Sequence, residues 1–255
     1  MQLLDLTISK RVAWITLSRP PVNALNDQLI AQFHVLLDQL DLRDDWGVLA
    51  IVSNQKVFCA GADLAQIEEC INTPEGADRM VEIISQFQSL FLRIETLNAT
   101  TIAVISGAAL GGGLELALAC DLRMAANEAK LGLPEASLGV IPGAGGTQRL
   151  TQLCGKGIAS RLILGSEIIN GQEAQQLGLV QWSVPRNDLA LQSQELAERL
   201  AQLDRSAIDF SKQCIAAASR ADVNGFTLEI EATRTLYKRS STRERIGAFL
   251  NKSKK

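Results

Sequence analysis

The order of apolar patterns along the chain constrains the fold more than any other feature of the sequence. Short strand-type runs alternate with helix-type stripes up to about residue 185, and helix-type patterns follow. This alternation predicts an α/β fold with a helical C-terminal part, in which a single strand, Val180–Val184, lies beyond residue 143. The other predicted elements are strands Leu3–Ser9, Arg11–Leu17, Val48–Ser53, Thr101–Ile105 and Asp121–Ala126, and helices Asn26–Leu42 and Gly76–Leu97.

The composition indicates a folded protein of the cytoplasm. The 255 residues are 47% hydrophobic and carry a net charge of −3, which is ordinary for a globular chain. The longest uncharged stretch, Thr101 to Leu114, is too short to span a membrane. The segment Met1 to Asp5 lacks the basic and apolar regions of a signal peptide. The five cysteines lack CxxC spacing, so we expect reduced thiols and no metal site.

A single histidine narrows the chemistry that the chain can perform. His34 lies in the amphipathic run Asn26–Leu42, where a helix-surface position is expected. Ser-His-Asp triads, Cys-His pairs and multi-histidine metal sites all depend on a placed histidine, so these classes are disfavoured. Proton transfer is expected to rest on carboxylates, lysines, cysteines, the one tyrosine or backbone groups.

Charge is distributed unevenly along the chain. From Arg205 to Lys255, eleven Lys and Arg stand against five Asp and Glu, so this segment carries +6 and the preceding 204 residues carry −9. A basic helical tail on an acidic body suggests docking to an anion or to an acidic neighbour. The alternative is a solvated helix face.

Two glycine-containing segments, Ala60 to Asp63 and Gly111 to Gly113, each precede a predicted helix. Neither fits a P-loop or a GxGxxG dinucleotide motif, so nucleotide binding is disfavoured. Glycines let backbone amides approach a ligand closely, and helix N-termini add a favourable dipole. Two such amides, converging from separate loops, are suited to a developing oxyanion, such as a carbonyl that becomes an enolate.

Glu115 is the only charged residue between Leu110 and Cys120 and lies one helical turn after Gly112. A carboxylate in apolar surroundings is costly to bury, so Glu115 is a candidate acid/base with a raised pKa. A solvent-facing position at the helix edge is the alternative.

Glu135 follows Pro134 between glycine-rich segments. Its position is also typical of the first turn of a helix, where the dipole favours glutamate. Two carboxylates facing one water beside an oxyanion hole would form a hydration site that needs no metal.

These segments resemble the enoyl-CoA hydratase/isomerase (crotonase) family. The resemblance is carried by Leu110 to Asp121, Pro134-Glu135 and Ile141 to Arg149. It extends to Arg19-Pro20, Asn23-Ala24-Leu25 and Phe58 to Asp63, and so covers essentially the whole chain.

The resemblance implies a ClpP/crotonase-like spiral of ββα units over residues 1–200 and a helical trimerisation region over residues 201–255. It also implies that the amides of Ala62 and Gly112 hold the thioester oxygen of an acyl-CoA. In the hydratase branch, glutamates at the positions of Glu115 and Glu135 share one water, and the presence of both favours hydration of a 2-enoyl-CoA. The implied assembly is a homotrimer or homohexamer.

The same resemblance implies where coenzyme A is bound. Lys56, Ala60 and Asp63 belong to one contact segment, and Phe249 and Lys252 of a neighbouring subunit form another. No permanently bound cofactor is expected, because the substrate itself carries coenzyme A. Ala65 replaces a lysine that many relatives carry near the phosphates, and Arg243 to Gly247 departs from the usual acidic turn.

Three alternatives remain open from the sequence. One is another crotonase-type reaction, such as enoyl-CoA isomerisation, and a second is the methylglutaconyl-CoA hydratase branch. The third is a non-catalytic protein that binds RNA or a partner through the basic tail. With an isoelectric point near 5.4 and one tyrosine, the chain offers no stacking platform for RNA. The pathway is open between fatty-acid, amino-acid and aromatic degradation.

Overall fold

The computed structural model describes residues 2–252, with the side chain of Lys252 outside the described part. The chain forms two compact units, Met1–Ala201 and Gln202–Lys255. Across the described residues, every helix is too short or too polar to cross a lipid bilayer.

The first unit contains the strands and most of the helices of the described chain. Its strands are β1 (Leu4–Ser9), β2 (Val12–Leu17), β3 (Val48–Ser53), β4 (Thr100–Ile105), β5 (Ala109–Leu110), β6 (Leu122–Ala126), β7 (Lys130–Gly132), β8 (Ile168–Asn170) and β9 (Trp182–Val184). Its α-helices are α1 (Asp27–Asp41), α2 (Leu64–Ile71), α3 (Gly76–Glu95), α4 (Gly112–Leu118), α5 (Gly146–Leu164), α6 (Gly171–Gln176) and α7 (Arg186–Leu200). A short 3-10 helix covers Pro134–Leu138.

The larger sheet has six strands in the order β1-β2-β3-β4-β6-β9. The β1/β2 pair is antiparallel, and the other neighbours are parallel. The two central strands, β3 and β4, are almost entirely buried, as expected of parallel strands covered on both faces. The sequence prediction of the hairpin and of the other four strands of this sheet is confirmed to within about two residues.

Helix α1 shows how the local sequence sets an element of this core. It begins where the side chain of Asn26 accepts a hydrogen bond from the Leu29 amide at 2.9 Å, which caps the first turn. Apolar residues recur at helical spacing and cover the sheet, as the sequence predicted. The buried residues of this face are Leu29, Ile30, Phe33, Leu37 and Leu40.

The smaller sheet, β5-β7-β8, is missing from the sequence prediction. β5 pairs in parallel with β7, and β7 pairs antiparallel with β8. These strands have only two or three residues, too few for an alternating pattern to be recognised. The expectation of a single strand beyond residue 143 is therefore wrong, because β8 also lies there.

Successive turns of the chain pass from the larger sheet to the smaller one and then into a helix. β3 leads to Cys59, which forms a parallel bridge with Ala109 of β5, and then to α2. In the same way β4 leads to β5 and α4, and β6 leads to β7 and the 3-10 helix. The result is a spiral of strand-strand-helix turns. Because Cys59, β5 and β7 are parallel, the three segments that follow them emerge at the same edge of the small sheet.

A buried asparagine fixes the first of these three segments. Asn23 is fully buried, with a φ of 52°. Its side chain accepts from the Arg19 amide at 2.8 Å and donates to the Phe58 carbonyl at 2.9 Å. Backbone bonds from Leu25 to Gly61 and from Asp63 to Leu25, at 2.8 and 2.9 Å, extend this contact. The motif Asn23-Ala24-Leu25 therefore holds the loop that contains Ala62.

The second unit consists of α8 (Arg205–Ala217), α9 (Gly225–Tyr237) and α10 (Ser240–Lys252). Together with α7, these are the four C-terminal helices that the sequence predicted. Among the described residues of this unit, only Ala217 and Ala232 are buried. Its large exposed apolar side chains are Leu203, Ile215, Phe226, Ile230, Tyr237, Ile246, Phe249 and Leu250.

We expect Asn23→Ala to lower the free energy of unfolding by about 2 to 4 kcal/mol. The substitution leaves buried backbone groups without a hydrogen-bond partner, and it places alanine at a left-handed φ that asparagine tolerates better. Urea unfolding, followed by circular dichroism, measures this loss. The matched control is Asn54→Ala at an exposed site, which should change stability by no more than about 0.5 kcal/mol. Equal stability of the two variants would contradict the role given to Asn23.

Candidate active site

Three loop segments meet at the edge of the small sheet. One contains Gly61 and Ala62, the second contains Gly111 and Gly112, and the third is the 3-10 helix with Glu135. A Cβ placed on Gly112 would lie 3.6 Å from the Ala62 amide nitrogen, and one on Gly61 would lie 3.6 Å from the Gly112 amide nitrogen. The two amides that the resemblance implies as the oxyanion hole are therefore close neighbours in space.

Glycine is needed where these loops touch. Gly61 has a φ of 108°, and a Cβ there would lie 3.0 Å from the Leu110 carbonyl oxygen. Gly111 has a φ of 52° and immediately precedes α4. Both positions have backbone conformations that L side chains rarely adopt, so glycine permits the close approach of the two chains.

The amides of Ala62 and Gly112 are available to a ligand. Within residues 2–252, neither donates a hydrogen bond to a protein acceptor. The Gly112 amide is the first of α4, where helix geometry leaves N–H groups unpaired. Two neighbouring amides in this state can stabilise a negatively charged oxygen.

Glu115 is buried on α4, with only 3% of its surface exposed. Its Oε1 accepts a hydrogen bond of 2.7 Å from the Gly146 amide at the start of α5. Burial raises the pKa of this carboxyl to about 7, against the opposing effect of the Gly146 hydrogen bond. The predicted buried position and raised pKa are thus present in the structure.

Glu135 lies on the neighbouring 3-10 helix, in its first turn. A Cβ on Gly111 would lie 3.1 Å from its Oε1. Its Oε2 is buried and has no hydrogen-bond partner among the described residues. Burial raises the pKa of this carboxyl as well. A buried carboxyl oxygen without a partner is a natural position for a water or ligand hydrogen bond.

The charge of Glu135 acts on the Glu115 carboxyl. The charge of Glu135 contributes to the raised pKa of Glu115, after the larger effect of burial. Two interacting carboxyls in a poorly solvated place release their protons in two separate steps. A pair of carboxyls that holds one proton and one negative charge can act as both acid and base.

The predicted coenzyme A contacts of the first unit lie on the segment before α2. Lys56 and Ala60 are exposed there. The side chain of Asp63 already has structural partners, because it forms an ion pair with Arg19 and caps α2 by accepting from the Ala65 amide at 2.9 Å. Its contribution to a ligand contact would come from its backbone or after a change of partner.

The other two predicted contacts belong to the second unit. Phe249 lies on α10 with an exposed ring. Lys252 is the last residue of that helix, and its side chain lies outside the described residues. Their assignment to coenzyme A stays a prediction.

The single histidine lies outside the three loops. His34 is half-buried on α1, where its Nδ1 is 3.4 Å from the Arg93 guanidinium. Burial, followed by the nearby Arg93 charge, lowers its pKa.

Two residues near Glu115, Gly146 and Arg149, have roles that the sequence pattern does not assign. Both lie in the run Ile141 to Arg149, which carries part of the family resemblance. The structure shows that the Gly146 amide binds Glu115 and that Arg149 holds the turn before it, with a hydrogen bond of 3.0 Å to the Ala144 carbonyl. The available signal was the glycine-rich run directly before a helix, a pattern that offers free amides to an anion.

Known proteins match this chain along its whole length. The family model described as enoyl-CoA hydratase/isomerase matches residues 7–255. A short-chain-enoyl-CoA hydratase from Clostridium acetobutylicum is 34% identical over 261 residues, covering 100% of this chain and 97% of the relative. A 2,3-dehydroadipyl-CoA hydratase from Escherichia coli is 36% identical over 255 residues, covering 99% of this chain and 97% of the relative. The crystal structure of an enoyl-CoA hydratase from Bacillus anthracis superimposes with a TM-score of 0.90 at 34% identity, covering 98% of this chain and 97% of that one.

The raised pKa of Glu115 predicts a pH-dependent stability. A carboxyl that keeps its proton longer when folded stabilises the protein at low pH, and this contribution is lost as pH rises from about 4.5 to about 7. Over that interval we expect the free energy of unfolding of the wild type, relative to Glu115→Gln, to fall by up to about 3 kcal/mol. Chemical unfolding at about pH 5 and about pH 8 measures the difference. Parallel curves for the two proteins would show that Glu115 titrates normally.

Proposed function

This chain belongs to the enoyl-CoA hydratase/isomerase family, and we propose that it adds water reversibly across the 2,3 double bond of a 2-enoyl-CoA thioester. In this proposal Glu115 and Glu135 hold the reacting water, and the amides of Ala62 and Gly112 bind the thioester oxygen. The fold is the crotonase fold, as the resemblance predicted, and the chain is an enzyme of the enoyl-CoA hydratase type. The observation that carries the proposed mechanism is the buried Glu115 carboxyl and the half-buried Glu135, with its buried Oε2, beside two unpaired amides.

The reaction balances with the groups at this site. The water oxygen bonds to the β-carbon and loses a proton to a carboxylate, while the π electrons of the double bond move toward the thioester carbonyl. The resulting enolate oxygen is stabilised by the two amides. A carboxylic acid then delivers a proton to the α-carbon, which restores the carbonyl and yields the 3-hydroxyacyl-CoA.

The environment of the two carboxyls supports these acid and base roles. A carboxyl with a pKa of about 7 keeps a proton near neutral pH but can still release it. The unpartnered Oε2 of Glu135 offers an acceptor for the water. We therefore assign the acid and base roles to the pair as a whole, since the two titrations are coupled.

Coenzyme A is carried by the substrate in this proposal, and we infer no permanently bound cofactor. Lys56 and Ala60 are exposed on the segment that leads to Ala62. Lys56 would attract the phosphates, with Ala60 and the backbone of Asp63 beside the ligand. Phe249 and Lys252 would complete the contact from a neighbouring subunit.

A homo-oligomer accounts for the surface of the second unit. Its apolar side chains on α9 and α10, among them Phe226, Ile230 and Phe249, are exposed in a single chain. Exposed apolar patches of this kind mark association surfaces. We propose a homotrimer or a homohexamer. We also propose a cytoplasmic location, where the described cysteines, none of which forms a disulfide, would stay reduced.

The direct test is the ultraviolet absorbance of crotonyl-CoA, which falls when the conjugated double bond is hydrated. We expect rapid loss with the wild type, and rates reduced by about 10²- to 10⁴-fold in Glu115→Gln and in Glu135→Gln, with coenzyme A binding retained. The matched control is Glu128→Gln, an exposed residue paired with Arg186, which should turn over normally. Normal turnover in either active-site variant would refute the role given to that glutamate.

Labelled water separates hydration from isomerisation. Reaction in water that contains heavy oxygen should give a product with one heavy hydroxyl oxygen, detected by mass spectrometry. A product that has lost conjugation without gaining oxygen would favour double-bond isomerisation. If crotonyl-CoA binds but does not react, longer, branched and aromatic enoyl-CoA substrates are tested in the same assay.

The carboxyl pair also predicts the pH profile. The active form holds one proton, and the raised pKa of Glu115 means that this proton is lost as pH rises through about 7. We therefore expect kcat/KM for hydration to fall above about pH 7. Steady-state rates in buffers of constant ionic strength measure this fall in kcat/KM. A profile that is flat across neutral pH would contradict the shared proton.

A further inference from the structure

The turn Ala144 to Gly146 lies between two charged side chains. On one side, the Gly146 amide donates to Oε1 of Glu115 at 2.7 Å. On the other side, Nη1 of Arg149 donates to the Ala144 carbonyl at 3.0 Å. A Cβ on Gly145 would lie 2.2 Å from that Nη1, so the guanidinium rests directly against the turn. Gly145 has a φ of 106°, which places the turn in a conformation that glycine favours.

The Arg149 guanidinium is held rigidly in this place. Its side chain is only 13% exposed. Nε and Nη2 donate to Oε2 of Glu95 at 3.1 and 2.8 Å, while Nη1 holds the Ala144 carbonyl. A planar guanidinium with donors directed to two partners has little freedom to move.

The placement of this ion pair is not explained by helix stability. Arg149 lies in the first turns of α5, where the helix dipole disfavours a cation. Glu95 is the last residue of α3, where the dipole disfavours an anion. Both charges are on the unfavourable ends of their helices, so neither charge is favoured by the dipole of its own helix.

Helix α3 supports the same loop at two further points. Nε2 of Gln88 donates to the Gly143 carbonyl at 2.6 Å. Cγ2 of Ile84 would lie 3.2 Å from a Cβ on Gly143. Ile84, Gln88 and Glu95 recur at helical spacing along one side of α3. The loop that binds Glu115 is therefore fixed from α3, directly through Gln88 and through the Glu95–Arg149 pair.

We infer that Arg149 is a positioning residue for the reaction proposed above: it fixes the turn whose Gly146 amide orients the Glu115 carboxyl, and it sets a permanent positive charge close to that carboxyl. The inference rests on the proposed function of Glu115. Arg149 itself touches neither the Glu115 side chain nor, in this proposal, the substrate. Its charge and the Gly146 hydrogen bond both favour the ionised form of Glu115, so losing either raises the pKa of that carboxyl.

The test compares Arg149→Gln, Arg149→Lys and a matched control, Arg161→Gln. Arg161 lies on the same helix and pairs with Glu167 and Glu173 at the surface. For each protein, kcat, KM and their pH dependence are measured with crotonyl-CoA. The titration of Glu115 is followed separately by carbon-13 NMR of labelled glutamate carboxyls, assigned with Glu115→Gln.

In Arg149→Gln we expect kcat to fall about 10- to 100-fold with KM little changed, because the carboxyl is misplaced while coenzyme A contacts remain. The limb of the pH profile near neutrality and the NMR titration should both move to higher pH. Arg149→Lys keeps the charge and loses the planar fork, so it should recover part of both effects. Arg161→Gln should match the wild type in every readout.

An unchanged kcat and an unchanged Glu115 titration in Arg149→Gln would overturn the inference. If Arg149→Gln does not fold, the comparison rests on Arg149→Lys. If Arg149→Lys folds and matches the wild type in kcat and in the Glu115 titration, the planar guanidinium of Arg149 does not position the turn. Failure of the proposed function can be told apart from failure of this inference. If the wild type hydrates no enoyl-CoA, the proposed function fails, and the NMR titration of Glu115 still tests the effect of Arg149.

Discussion

Parallel pairing of one bridge residue, Cys59, and two very short strands, β5 and β7, determines where the proposed catalytic groups lie. Cys59, β5 and β7 each bring the chain to the same edge of the small sheet, and each is followed at once by a loop of the site. The pairing involves only a few backbone hydrogen bonds, so the larger sheet and the Asn23 contacts must hold these strands in place. Ala62, Gly112 and Glu135 are far apart in sequence and close in space because of this one arrangement.

The long elements could be predicted from the sequence and the candidate site residues could be selected from it, because each has a local signal. Strands β3 and β4 are continuous apolar runs, and α1 and α3 have apolar stripes at helical spacing. Glu115 stands out as a lone charge among apolar residues, and the glycines at 61 and 111 to 113 stand out before helices. In each case the information lies within about ten neighbouring residues.

The remaining features depend on contacts that no local pattern describes. Strand β7 has three residues, and these residues form a strand because of the neighbours to which they are hydrogen-bonded. The Gly146 amide binds a carboxylate 31 residues earlier in the chain, and Arg149 meets Glu95 across 54 residues. The unusual position of Arg149 at a helix start is visible in the sequence only after the helix boundary is known. Roles within the site therefore follow from the fold, while candidate residues follow from the sequence.

The second unit has a consequence for the thermodynamics of the whole enzyme. Its three helices bury only two alanine side chains among the described residues, whereas many larger apolar side chains face outward. Burial of apolar surface is the main force that keeps a domain folded, and a unit in which the larger apolar side chains are half-buried or exposed gains little of it from its own packing. In the proposed assembly, packing these exposed side chains against another copy of the chain would add the apolar burial that this unit lacks by itself. In an assembly of identical chains, its stability becomes a matter of mass action, so that dilution and unfolding are coupled events.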